Sequence, residues 1–171
     1  NVAGAAALVK HRYSSFTNTQ VRAYLENYAI DMGISGKDNI YGSGRVNLPP
    51  FIRSVTSSLS NGSYTVGQVV PIQITLSEAV TYTAGTGQAR LLLETGATDR
   101  YAYYASGSGT SVLTFNYTVQ AGDTSADLEY SNTSALSLTG TSTIKDATGS
   151  NADLALPALF SANSLGGSKN I

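Results

Sequence analysis

A mainly β chain is predicted, an antiparallel β-sandwich entered through two short helices, and three observations carry that expectation. After residue 50, apolar residues alternate with polar ones over several stretches, the period of a strand with one buried face. Glycine- and asparagine-rich turn signals separate those stretches. Before them, a run with helical spacing is closed off by Pro49-Pro50. Consecutive prolines cannot continue a helix and bias the chain to an extended form.

The helical part comes first. Val2 to Tyr13 reads as a nearly all-apolar helix through Ala3, Gly4, Ala5, Ala6, Ala7, Leu8 and Val9. A helix apolar on every side is expected to be buried on every side. Lys10, His11 and Arg12 fall in its last turn, where positive charge suits the helix dipole. Thr17 and Gln20 have the spacing of a capping box and open a second helix. Its apolar stripe is Val21, Leu25 and Tyr28, flanked by Ala29, and Gly33 is the expected stop. Two such helices cannot bury a core alone, so this half calls for a further body to pack against.

The strands follow. Ile72, Ile74 and Leu76 alternate with Gln73, Thr75 and Ser77, and Leu113, Phe115, Tyr117 and Val119 with Thr114, Asn116 and Thr118. The second set predicts a strand with Leu113, Phe115, Tyr117 and Val119 inward, Asn116 and Thr118 outward. Further strands are predicted over residues 51–59, 88–94, 100–105, 127–130 and 136–138, with a weak last one near Leu154. Asn61-Gly62, residues 84–87, residues 106–109 and Ala121-Gly122-Asp123 mark turns between them. About seven short strands without an intervening helix argue for a sandwich.

Composition narrows the function classes. The 171 residues hold 10 Lys+Arg against 11 Asp+Glu, a formal net charge of −1. That balance offers no electrostatic case for nucleic acid or an anionic membrane as partner. Cysteine is absent, which excludes disulfides and thiolate metal sites. No apolar run reaches the ~20 residues of a membrane span, and no signal-peptide pattern opens the chain. Asn1-Val2-Ala3-Gly4 begins without an initiator Met, so residue 1 is expected to lie inside a longer parent chain.

Asn1-Val2-Ala3-Gly4-Ala5-Ala6-Ala7-Leu8 resembles the stretch after the catalytic serine of subtilisin-like serine proteases (subtilases). The similarity continues through Lys10-His11, residues 17–22, Leu25-Glu26-Asn27, Met32-Gly33 and residues 41–47, Tyr-Gly-Ser-Gly-Arg-Val-Asn. Residues 1–48 thus resemble the last two helices and closing segment of a subtilase α/β domain. The resemblance implies an extracellular endopeptidase whose histidine takes the serine's proton while an aspartate fixes the imidazole tautomer. None of those three groups carries over: the serine would stand a few residues before Asn1, the others earlier still. His11 corresponds to a helix end away from the catalytic centre.

Residues 49–171 resemble a bacterial immunoglobulin-like (Ig-like) tandem repeat. The resemblance rests on residues 61–67, Ser77-Glu78-Ala79-Val80, residues 104–110, Ala121-Gly122-Asp123, residues 134–138 and residues 144–149. Leu165-Gly166-Gly167 is similar to the end of such a repeat, just before its final strand. A sandwich short of that strand is expected to expose an open edge.

Three kinds of candidate site remain. Asp146, Asn151 and Asp153 place oxygen ligands at short spacing around Gly149, as a calcium loop would. Solvated residues favouring Asx-turns explain the same pattern without a metal. Tyr101, Tyr103 and Tyr104 could stack on sugar rings, but tyrosine is also a favoured strand residue and packing explains it more plainly. Asn61, Asn116 and Asn132 match the glycosylation acceptor pattern, which a Ser/Thr-rich chain produces by chance. No cofactor is required by any motif. The expected function is the C-terminal portion of a secreted subtilisin-like endopeptidase with an Ig-like accessory or adhesion module. The alternative is a structural subunit of a cell-surface or extracellular assembly. Expected partners are protein: the rest of a protease domain, or other copies meeting the exposed helix and open sheet edge.

Overall fold

The computed structural model describes residues 2–40 and 42–171 and divides into two compact units, Asn1–Pro49 and Pro50–Ile171. The first is helical. α1 spans Val2–Arg12 and α2 spans Asn18–Asn27. Thr17 caps α2 as its spacing predicts: its Oγ1 accepts from the Gln20 N–H at 3.3 Å, and Gln20 Oε1 accepts from the Thr17 N–H at 2.8 Å. Ala5 and Val9 of α1 meet Val21 and Leu25 of α2 in a small core. Tyr13 stacks on Phe16 with ring centroids 4.6 Å apart, and Tyr24 tilts against both.

One expectation for this unit is corrected. α2 stops at Asn27 with Tyr28 as its C-cap, not at Gly33. The reason is tertiary: Ile30 exchanges both backbone hydrogen bonds with Arg45, at 2.9 and 2.8 Å, so the chain must already be extended there. Gly44 makes the pairing possible. A Cβ at this position would lie 2.1 Å from the Ile30 carbonyl oxygen, and its φ of +99° favours glycine. As expected of two helices that cannot bury a core alone, α1 is covered on one side only within its own unit. Only Ala5 and Val9 are buried, whereas Val2 is 60% and Leu8 53% exposed.

The second unit is a curled, antiparallel sheet. Its strands are β1 (Ile52–Ser57), β2 (Val69–Thr83), β3 (Ala89–Glu94), β4 (Arg100–Ser106), β5 (Thr110–Thr118), β6 (Glu129–Tyr130), β7 (Leu136–Leu138) and β8 (Thr143–Lys145). They run in the order β1-β2-β5-β4-β3-β6, with β7 also on β3 and β8 on β2. β2 is the spine. Its first part lies between β1 and β5, and residues 81–83 pair with β8. Between those parts the register shifts, and Glu78 stays exposed where strict alternation would turn it inward.

Alternation fills one core with Val70, Ile72, Ile74 and Leu76 of β2, Leu91 and Leu93 of β3, and Leu113, Phe115 and Tyr117 of β5. Val119 packs against that core half-buried, and Asn116 and Thr118 face out. β8 was not foreseen, because three residues around a single apolar Ile144 are too short to show a period. Near Leu154 there is no strand; Phe51 and Asp153 instead form an isolated parallel bridge.

The end of the chain also departs from expectation. Leu165-Gly166-Gly167 forms one helical turn, α3 (Leu165–Ser168), capped by the Ser164 hydroxyl accepting from the Gly167 N–H at 3.1 Å. Leu165 is fully buried. Residues 163–171 then dock along β1 rather than leaving its edge open. The Val55 N–H donates to the Asn163 carbonyl at 2.8 Å, and Ser168 Oγ donates to the Val55 carbonyl at 3.1 Å. Farther on, the Gly62 N–H donates to Asn170 O at 3.0 Å and the Leu128 N–H to Ile171 O at 2.7 Å.

Candidate functional site

In the helical unit, the packing of α1 on α2 leaves an apolar groove of about 510 Å³. Val2 and Ala6 of α1, Val21 and Leu25 of α2, Ala29 and Val46 form its walls. Its rim is polar. Arg22 Nε donates to Glu26 Oε1 at 3.0 Å, one α-helical turn apart, and Lys37 stands 3.8 Å from the same oxygen. The hydrogen bond from Arg22 holds the Glu26 carboxyl below its usual range. His11, the single histidine, lies exposed in the last turn of α1 beside Lys10 and Arg12. Lys10 Nζ crosses to the Ser14 carbonyl at 2.7 Å and to that of Phe16, so this turn serves as a helix end. The unit thus presents an apolar groove with a charged rim.

The β unit holds a pocket of about 220 Å³ whose walls include Tyr64, Tyr117, Asp123, Leu128 and Ile171. At its edge the Asp123 carboxylate ties three elements together. Oδ1 accepts from Arg100 Nε of β4 at 2.9 Å. Oδ2 accepts from the Tyr117 hydroxyl of β5 at 2.6 Å and from the Gln120 N–H at 2.9 Å. Its side chain is only 4% exposed. Burial alone pushes the carboxyl up, but the hydrogen bonds from Tyr117, Arg100 and Gln120 outweigh it and hold Asp123 below the usual carboxylate range. The same burial, with the negative neighbour, raises the Tyr117 phenol. Both oxygens are occupied, so the cluster is a structural tie. Sequence reasoning placed Asp123 in a turn, among the acidic residues of the last third, and saw no tie; Arg100, more than twenty positions away, gave no local signal.

The three residues predicted as a calcium loop lie on one connection after β8. Asp146 is buried, and its Oδ1 accepts from the Thr148 N–H at 2.8 Å, the Thr148 hydroxyl at 2.7 Å and the Ser150 N–H at 2.8 Å. Burial raises this carboxyl, and those donors more than reverse the shift. Asn151 is exposed and bridges to Lys145, while Asp153 Oδ1 accepts from the Ala155 N–H at 3.0 Å. Among the described residues no group of three or more His, Cys, Asp or Glu side chains is placed to hold a metal ion.

The three tyrosines separate. Tyr104 turns toward the core, 4.0 Å from the Tyr82 ring and edge-on to Phe115 at 6.0 Å. Tyr101 and Tyr103 stay on the opposite face, with centroids 6.2 Å apart. Of the three acceptor-pattern asparagines, Asn61 accepts from the Asn170 N–H and Asn132 from the Ser134 N–H; Asn116 is exposed on β5.

A 47-residue stretch, 28% of this chain, is 51% identical to Subtilisin Savinase of Lederbergia lenta and covers 16% of that protein. The Extracellular serine protease of Serratia marcescens is 40% identical over 48 residues, 5% of its length. Serotype-specific antigen 1 of Mannheimia haemolytica is 35% identical over 65 residues, 38% of this chain and 7% of that protein. The chain therefore spans 16% or less of these relatives, and it contains a subtilisin-like segment. No family model matches the chain, and no solved structure matches it. No helix among the described residues is long and apolar enough to cross a membrane.

Proposed function

We propose that the chain is the C-terminal portion of a secreted subtilisin-like serine endopeptidase, carrying an Ig-like module for attachment or substrate engagement. The observation behind this reading is the 51% identity over 47 residues to a subtilisin of which the chain covers 16%. The exposed Val2 and Leu8 and the groove beside α2 support it. In this reading they pack against the remainder of the protease domain, since an apolar surface of that kind is costly in water. The Ig-like assignment draws support from the curled antiparallel sheet around one core. An extracellular location is part of the same reading, supported by the likeness to a relative named an extracellular serine protease.

The 171-residue chain by itself is expected to hydrolyse no peptide bond. A triad needs an imidazole between a serine hydroxyl and a carboxylate, and the one histidine sits exposed at a helix end. Turnover of a chromogenic peptide by this chain, abolished by a serine-directed phosphonate, would count against that. The reading frame of the parent tests the wider proposal: Asp and His motifs and a Gly-Thr-Ser-Met-Ala-like segment before Asn1 are expected. Their absence, with no phosphonate labelling of the parent, would leave the structural-subunit reading.

A further inference from the structure

The face of the sheet turned away from the core carries one ordered row of side chains. Strand register sets Ser137 of β7 opposite Arg90 of β3, Arg90 opposite Tyr103 of β4, Tyr103 opposite Asn116 of β5, and Asn116 opposite Pro71 of β2. Each alternates with core residues on its strand, so all five lie on the outer face. With strands ~4.8 Å apart, the row crosses five strands over roughly 19 Å. Tyr103 at its centre is 43% exposed.

The neighbours of Tyr103 are held in place. The Arg90 guanidinium lies 4.2 Å from the centroid of the Tyr101 ring, and Arg90 Nε meets Ser137 Oγ at 3.4 Å. Tyr101 in turn flanks Tyr103. The fork of Arg90 has five N–H donors, and Asn116 adds an amide with both donor and acceptor. An exposed aromatic ring set by register between an arginine and an asparagine suits a ligand with apolar ring faces and hydroxyl edges.

We propose that this row binds a neutral polysaccharide, with a sugar ring stacked on Tyr103 and its hydroxyls bonded by Arg90 and Asn116. Charge selects the ligand. The row holds one cation, already over an aromatic ring, in a chain of net charge −1, whereas nucleic acid is held by many cations. The row is too polar for a protein hot spot, which centres on a desolvated apolar cluster. This inference stands apart from the protease reading, since it uses only the β unit's outer face.

Affinity electrophoresis of the intact chain in native gels containing hydroxyethylcellulose, laminarin or glucomannan tests it. Retardation by at least one is expected, unchanged by 0.5 M salt, with Tyr103→Ala weakening it about tenfold or more, as loss of a central aromatic does. Asn116→Ala is a second, exposed variant that should also weaken retardation should Tyr103→Ala fail to fold. Phe160→Ala, on an exposed loop off the row, should leave retardation unchanged. No retardation by any of the three, or equal retardation of the Tyr103 and Asn116 variants, overturns the proposal. So does salt-sensitive retardation by single-stranded RNA alone.

Discussion

Replacing Phe115 by alanine is expected to cost about 3–5 kcal/mol, the range for truncating a large buried aromatic. Phe115 is fully buried on β5, paired in register with Ile72 of β2 on one side and Tyr104 of β4 on the other. Its ring meets Tyr104 edge-on at 6.0 Å, a geometry that adds to simple burial. Strands on both sides are pinned by the rest of the core, so the cavity cannot collapse fully, which places the cost high in the range. Against a typical total stability of about 5–15 kcal/mol, the loss should move the melting midpoint down by roughly 10–20 °C. Thr118→Ala, exposed on the same strand, should shift it little. Equal midpoints for Phe115→Ala and the parent would contradict the packing described.

Asp123→Ala is the second large effect, expected near 3 kcal/mol at neutral pH. The variant leaves the Tyr117 hydroxyl, the Arg100 guanidinium and the Gln120 N–H without their acceptor, and hydrogen bonds to a charged group contribute about 1.5–3 kcal/mol each before relaxation. Arg100 is 28% exposed and recovers part of its share from water. The pH dependence has a definite sign. The folded carboxyl sits below its unfolded value, so its stabilisation is complete above about pH 4–5 and fades as pH falls through the folded value. Denaturant titrations at pH 7 and pH 2.5 should therefore show the Asp123→Ala deficit shrinking in acid. A deficit of the same size at both pH values would show that the charge plays no part.

What could be read from the sequence followed from short-range rules. Thr17 and Gln20 are three residues apart, so the capping box was legible. The inward set Leu113, Phe115 and Tyr117 follows from a period of two. Features set by distant partners were not legible. Gly33 is a sound helix stop on local grounds, yet pairing of Ile30 with Arg45 ends α2 earlier. Nothing local separates Tyr104 from Tyr101 and Tyr103 except parity, and parity shows which faces differ without saying which is core. The Asp123 tie joins β4, β5 and a turn, and two of its members lie more than twenty residues apart. In the helical half the resemblance anticipated the subtilisin-like segment, while the exposure of Val2 and Leu8 on α1 follows from how little two short helices can cover.

The docking of residues 163–171 on β1 has a consequence in time. The first strand of the sheet is lined by residues synthesised more than a hundred positions later, so the unit cannot close while these are still in the exit tunnel. At about 5–20 residues per second, the 113 positions from Val55 to Ser168 take roughly 6–23 s to make. Until then the Val55 and Leu128 amides lack the carbonyls of Asn163 and Ile171, and the space that Leu165 fills stands empty. The nascent unit thus passes through an interval with a bare strand edge, the state most open to wrong pairing with a neighbouring chain. Docking of residues 163–171 ends that interval.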